Sequence, residues 1–189
     1  MSDSELTIYT IGHSNHPVDK FLGLLNLHQI ETVVDTRSHP HSRFSPHFNR
    51  KQLEVNLANE DIQYLFMGET LGGRPIEPEL YDSQGYVLYG EIARTDRFQM
   101  AIETLKEMAG DNRIALLCSE ENPSVCHRRL LIGRVLFEEG VSVFHIRGDG
   151  KLQTEAEIRD EEAKADQPAL FEYEALDWKS IRPVAIKKD

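Results

Sequence analysis

Apolar residues along the chain fall into short runs divided by turn-forming residues, and the runs alternate between two periods. Residues 6–11, Leu-Thr-Ile-Tyr-Thr-Ile, are apolar and β-branched and run into Gly12-His13-Ser14-Asn15, which predicts a strand ending in a turn. Pro17 suits the first turn of a helix, and Val18, Phe21, Leu22 and Leu25 recur at helical spacing as far as Leu27. A second strand is expected over 32–36, a short helix over 50–59 with Leu53 and Leu57 on one face, and a third strand over 62–67. From about Gly90 the positions Phe98, Ala101, Ile102, Leu105, Met108 and Ala109 form an i, i+3, i+4 stripe that closes at Gly110, predicting one long helix. Residues 113–119, Arg-Ile-Ala-Leu-Leu-Cys-Ser, are nearly all apolar, as expected of a strand buried on both faces. Asn122-Pro123 then supplies a cap and a first-turn proline for a helix to Gly140, and 141–146 reads as a fifth strand.

Strands alternating with helices predict an α/β fold, a Rossmann-like three-layer sandwich with a mostly parallel five-stranded sheet. In such sheets ligands sit outside the carboxyl ends of the strands, which directs attention to the loops starting at Gly12, Asp35, Met67, Cys118 and His145. Two stretches, 37–49 and 68–89, have no clear period and are read as loops. No internal repeat is visible. The sequence has no Gly-x-Gly-x-x-Gly or Walker-type loop, so no dinucleotide or ATP cofactor is indicated.

The coded residues gather at those loops. Cys118 closes one strand, and Cys126 and His127 enter the next helix with Arg128 and Arg129 behind them. A thiol near a helix start and beside cations has its thiolate favoured, which suits a nucleophile or a redox group. The competing reading is that each cysteine is a small core hydrophobe. Cys-x7-Cys-His, with His145 on the next strand, offers zinc-type donors at a spacing unlike the standard zinc patterns, so no metal is assigned. Asp35-Thr36-Arg37 followed by Ser42-Arg43-Phe44 places a candidate general base beside arginines able to grip phosphate or carboxylate; the plainer reading is an ion pair that orders the loop. Gly12-His13-Ser14 can form a nest of backbone donors for an anion, or simply a strand-to-helix turn. The candidate catalytic residues are therefore Asp35, Cys118, Cys126 and His127, and the candidate binding residues Gly12, His13, Ser14, Arg37, Ser42, Arg43, Glu120 and Arg128. Tyr64, Gly72-Gly73-Arg74 and Tyr89 are further rim positions, each more often structural than catalytic.

Several of these blocks together resemble the domain of unknown function 488 family: Thr10 to Ser14, Asp35-Thr36-Arg37 with Ser42-Arg43-Phe44, Leu71-Gly72-Gly73, and Leu117 to Glu120 with Cys126-His127-Arg128. The resemblance covers about residues 6–147 and departs at Thr36, where a small apolar residue is expected. It implies an α/β domain with a shared pocket and no particular reaction.

Charge narrows the function. A net charge of -11 argues against a general grip on nucleic acid, although much of the acid lies in 155–166 while the site loops are locally basic. With two cysteines, no long apolar run and no signal-peptide pattern at the start, a cytoplasmic protein is expected. Residues 1–149 are read as the domain and 150–189 as an acidic tail in which 153–165 can form a charged helix. Within the tail, Gln167, Leu170 and Phe171 resemble a sliding-clamp-binding peptide. Three functions follow: an enzyme or binding protein for a phosphate-containing nucleic acid or nucleotide, associated with DNA repair through the tail; a thiol enzyme on a small anionic substrate; and a non-catalytic ligand sensor.

Overall fold

The structure, a computed structural model, describes residues 6–165 and 178–184; the Gln167–Phe171 peptide lies outside the described residues. Five parallel strands form as the apolar runs predict: β1 (Thr7–Gly12), β2 (Thr32–Asp35), β3 (Gln63–Phe66), β4 (Ile114–Cys118) and β5 (Ser142–Ile146). A sixth, β6 (Leu152–Thr154), pairs antiparallel with β5, giving the order β3-β2-β4-β1-β5-β6. The pattern misses β6 because three residues of Leu-Gln-Thr carry neither an apolar run nor two full alternations.

Side-chain alternation splits the core between the two faces of the sheet. Ile8, Val34, Leu116 and Val143 pack with α5 (Asp96–Asp111) and the segment ending in α6 (Arg134–Glu138). Tyr9, Val33, Leu117 and Ile146 pack with α1 (Val18–Leu27) and α2 (Arg50–Ala58). All five residues of β4 are buried, which accounts for its unbroken apolar run.

Two expected helices are interrupted. The long one from Gly90 is preceded by the single turns Gly68–Leu71 (α3) and Tyr89–Ala93 (α4), and α5 restarts at Thr95, whose side chain caps Phe98 N at 3.3 Å. The Asn122-Pro123 start is correct in kind, since Asn122 Oδ1 accepts from Ser124 N at 3.1 Å. It opens only a 3-10 turn over Pro123–Val125. Cys126 is extended (φ -123°, ψ 138°), and the chain resumes as a π-helical turn over Arg128–Gly133 before α6. Such turns occur often at functional sites.

The last described elements return to the body. Glu155 opens α7 (Glu155–Ala165) and is buried, accepting from Arg129 Nε at 2.8 Å, His145 Nε2 at 3.1 Å and Arg159 Nε at 2.9 Å. Burial opposes its charge, but the bonds from His145 and Arg129 prevail and hold its carboxyl down to about 2. Residues 178–184 lie against the α4 side: Trp178 Nε1 donates to Leu130 O at 2.7 Å, its ring lies 4.3 Å from the Arg134 guanidinium, and Ser180 N and Val184 N bond Val87 O and Gly85 O. No described helix is long and apolar enough to cross a membrane.

Candidate functional site

Register brings three strand ends together. Gly12 pairs with Cys118, and Asp35 with Leu117, so the residues that follow share one edge of the sheet. His13 N and Ser14 N continue the ladder to Cys118 O and Ser119 O at 3.0 and 2.8 Å, and Thr36 N to Leu117 O at 3.1 Å. The two loops touch at Gly12, where a Cβ would stand 1.9 Å from Glu120 O.

Arg128 is fully buried beneath this contact. It donates to Glu120 O, to Glu121 O at 2.7 Å and to Thr10 Oγ1 at 3.3 Å, bracing the loop after Cys118 from inside. Thr10 in turn meets His145 Nδ1 at 2.7 Å, which ties this brace to Glu155 and α7. His145 is thus committed on both ring nitrogens and stands apart from the cysteines.

Asp35 and Arg37 form a closed unit. Asp35 Oδ1 accepts from Arg37 N at 3.1 Å and Nε at 2.8 Å, and Oδ2 from Arg37 Nη2 at 2.6 Å and Tyr64 Oη at 2.8 Å. Arg37 Nη1 lies 3.1 Å from His13 Nε2, while His13 Nδ1 donates to Ser14 O at 2.7 Å. Burial first, and the Arg37 charge second, push His13 down to about 4, so it stays neutral and accepts from the arginine. Tyr64 is driven well above its ordinary range by burial and by Asp35, so it remains a donor. With no exposure and four bonds accepted, Asp35 positions Arg37, which is 5% exposed and lines the pocket.

The sulfurs meet a single imidazole. Cys118 Sγ and Cys126 Sγ lie 3.6 and 3.9 Å from His127 Nδ1, while His127 Nε2 donates to Thr36 O at 3.1 Å. The extended Cys126 makes this meeting possible, and Gly73 makes room for it: a Cβ there would lie 2.6 Å from His127 Cγ. A bond donated by Cys126 outweighs burial and, with the Arg128 charge, holds the Cys118 thiol down to about 7. Burial and the Cys118 charge push the Cys126 thiol up. Of the two, Cys118 is the readier thiolate.

Above the sulfurs opens a pocket of about 390 Å³. Cys118, Cys126, His127 and Tyr89 line its interior with Arg37, Arg74 and Arg182; Arg37 is paired with Asp35, and Arg182 Nη2 with Glu120 Oε1 at 3.1 Å on the same rim. Of the residues expected from sequence, Arg37, Ser42, Cys118, Glu120, Cys126 and His127 line it together. Gly12, His13, Asp35 and Arg128 act from beneath, and Ser14 is a turn residue with φ 47°. Arg43 does not line the pocket; it is exposed beside Phe44, itself 95% exposed, at the tip of a loop that Phe48 anchors from within. The wall formed by Ser180, Ile181, Arg182 and Val184 is absent from the sequence reading. The signal in the sequence is the chain's single tryptophan, Trp178, late in an otherwise acidic segment.

Fold and site together define an α/β protein with a sulfur and imidazole centre beneath a cation-rimmed pocket at the sheet edge. The chain belongs to the family described as Domain of unknown function DUF488, whose model matches residues 17–135. That segment contains Arg37, Cys118, Cys126, His127 and Arg128. No curated protein matches the chain, and no solved structure does.

Proposed function

We propose that this pocket is the active site of an enzyme acting on a small anionic substrate, a phosphate or carboxylate compound, whose reacting group is brought to the Cys118, Cys126 and His127 centre. One observation carries the reading: two sulfurs and an imidazole line the same cavity as three arginines. Arg37 is held in place by Asp35 and His13, so it meets an anion with little side-chain entropy left to lose. The cavity volume falls within the range of small-molecule sites, and a nucleotide is among the phosphate compounds of suitable size. An extended nucleic-acid strand suits it less, because the chain carries a net charge of -11 and the cations are local. The strand order and the packing of helices on both faces support a Rossmann-like three-layer sandwich, in which the carboxyl edge is the expected ligand position.

Calorimetric titration with inorganic phosphate and with a nucleoside monophosphate at low salt tests the reading. Binding should weaken about tenfold when Arg74 and Arg182 are both replaced by Ala, equivalent to about 1.4 kcal/mol. Binding by neither probe, or equal binding by the double variant, would overturn the anion pocket.

A further inference from the structure

We propose that Cys118, Cys126 and His127 bind one zinc ion, with a fourth coordination position turned to the pocket. The inference goes beyond the anion-site reading and stands on the trio alone. In a tetrahedral centre with zinc bonds of about 2.3 Å to sulfur and about 2.0 Å to nitrogen, each sulfur sits about 3.6 Å from the nitrogen. The observed separations from Nδ1 are 3.6 Å for Cys118 and 3.9 Å for Cys126, close to that value. All three donor atoms lie within 4.8 Å of one another.

The imidazole is prepared for such a role. Its Nε2 hydrogen is taken by Thr36 O at 3.1 Å, which directs the Nδ1 lone pair toward the sulfurs, the outer-shell arrangement found around metal-bound histidines. Gly73 and Thr36 fix the ring on two sides. Both sulfurs and the Nδ1 lone pair converge on one point, and an ion shared by all three uses every donor. Thiolate and imidazole donors favour zinc over magnesium or calcium, which take oxygen ligands.

The unusual spacing follows from the fold. Cys118 ends a strand, whereas Cys126 and His127 stand at the break between a 3-10 turn and a π-helical turn, so seven residues loop out between the sulfurs. Three protein donors leave a position for water or for an anion held by the pocket, the arrangement of catalytic rather than structural zinc sites. With the ion bound, the sulfurs are ligands and the ion is what an anionic substrate meets.

The full chain, stripped with a chelator and kept reduced, should bind one equivalent of cobalt(II). Visible bands of tetrahedral cobalt and a near-ultraviolet thiolate-to-cobalt band should appear, and zinc should displace them. Cys118→Ser, Cys126→Ser and His127→Ala should each weaken cobalt binding by more than about 100-fold, beyond the loss of an outer-shell hydrogen bond. The Arg74→Ala/Arg182→Ala variant should retain the metal, so loss of anion binding and loss of metal are read separately. Wild-type protein offers a second readout that needs no variant: one equivalent of zinc should slow iodoacetamide labelling of both cysteines at least tenfold. No stoichiometric cobalt or zinc binding by the folded chain, unprotected thiols, or binding that survives in folded Cys118→Ser and Cys126→Ser proteins would overturn the proposal.

Discussion

Replacing Asp35 by Asn removes one charge from a buried ion pair while leaving side-chain size unchanged. The carboxylate accepts four bonds, three from Arg37 and one from Tyr64. An amide has one oxygen, and its NH2 group must turn toward donors, so at least one side of the unit is lost and the Arg37 charge, 5% exposed, is left without a counter-charge. Breaking a buried pair in this way costs about 3–5 kcal/mol. With a urea slope of about 2 kcal/mol per molar, the midpoint should fall by about 2 M. Far-ultraviolet dichroism and the fluorescence of Trp178, the chain's one tryptophan, report the transition from two regions. Adding Arg37→Met removes the stranded charge, so the double variant should be more stable than Asp35→Asn alone. A midpoint shift below about 0.5 M at unchanged slope, or a double variant less stable than the single, would refute the account of Asp35 as the partner of a buried cation.

His13 sets a pH window: it is neutral in the fold down to about 4, whereas in the unfolded chain it takes a proton near 6.5. Stability is therefore full above 6.5 and falls toward pH 4 by about 1.4 kcal/mol per pH unit, about 3 kcal/mol in all, and urea midpoints across this range should flatten in His13→Gln. Gly12→Ala places a methyl group within 1.9 Å of Glu120 O, so the loops after β1 and β4 must separate. A loss of about 1–3 kcal/mol is expected, together with faster iodoacetamide labelling of Cys118 as its loop loosens; an unchanged labelling rate would argue against the close contact.

Much of the sheet is legible in sequence because strands buried on both faces write long apolar runs, as Ile114–Cys118 does. The carboxyl edge follows, since a strand's last residue is visible wherever a run stops at Gly12, Asp35 or Cys118. Breaks inside helical patterns are not visible in the same way. The apolar stripe of α5 gives no reason to stop at Thr95, and nothing in Leu130, Leu131 and Ile132 distinguishes a π-helical turn from an α-helix. Roles of charged residues escaped for another reason: whether an arginine braces, pairs or faces a pocket depends on distant partners. Arg128 looks like a ligand and bonds Glu120, Glu121 and Thr10; Arg37 is half consumed by Asp35 and His13; Arg182 comes from the far end of the chain.

The wall from Ser180 to Val184 makes the pocket a composite of two stretches far apart in sequence. The segment shared with the family, 17–135, holds the sulfurs, the imidazole and Arg37, while Arg182 and its neighbours lie outside that segment. Arg37 and Arg74 reach the pocket from the first stretch and Arg182 from the second, so its cations are divided between them. Substitutions at 180–184 therefore reshape one wall of the pocket while the strands that carry Asp35 and Cys118 keep their pairing.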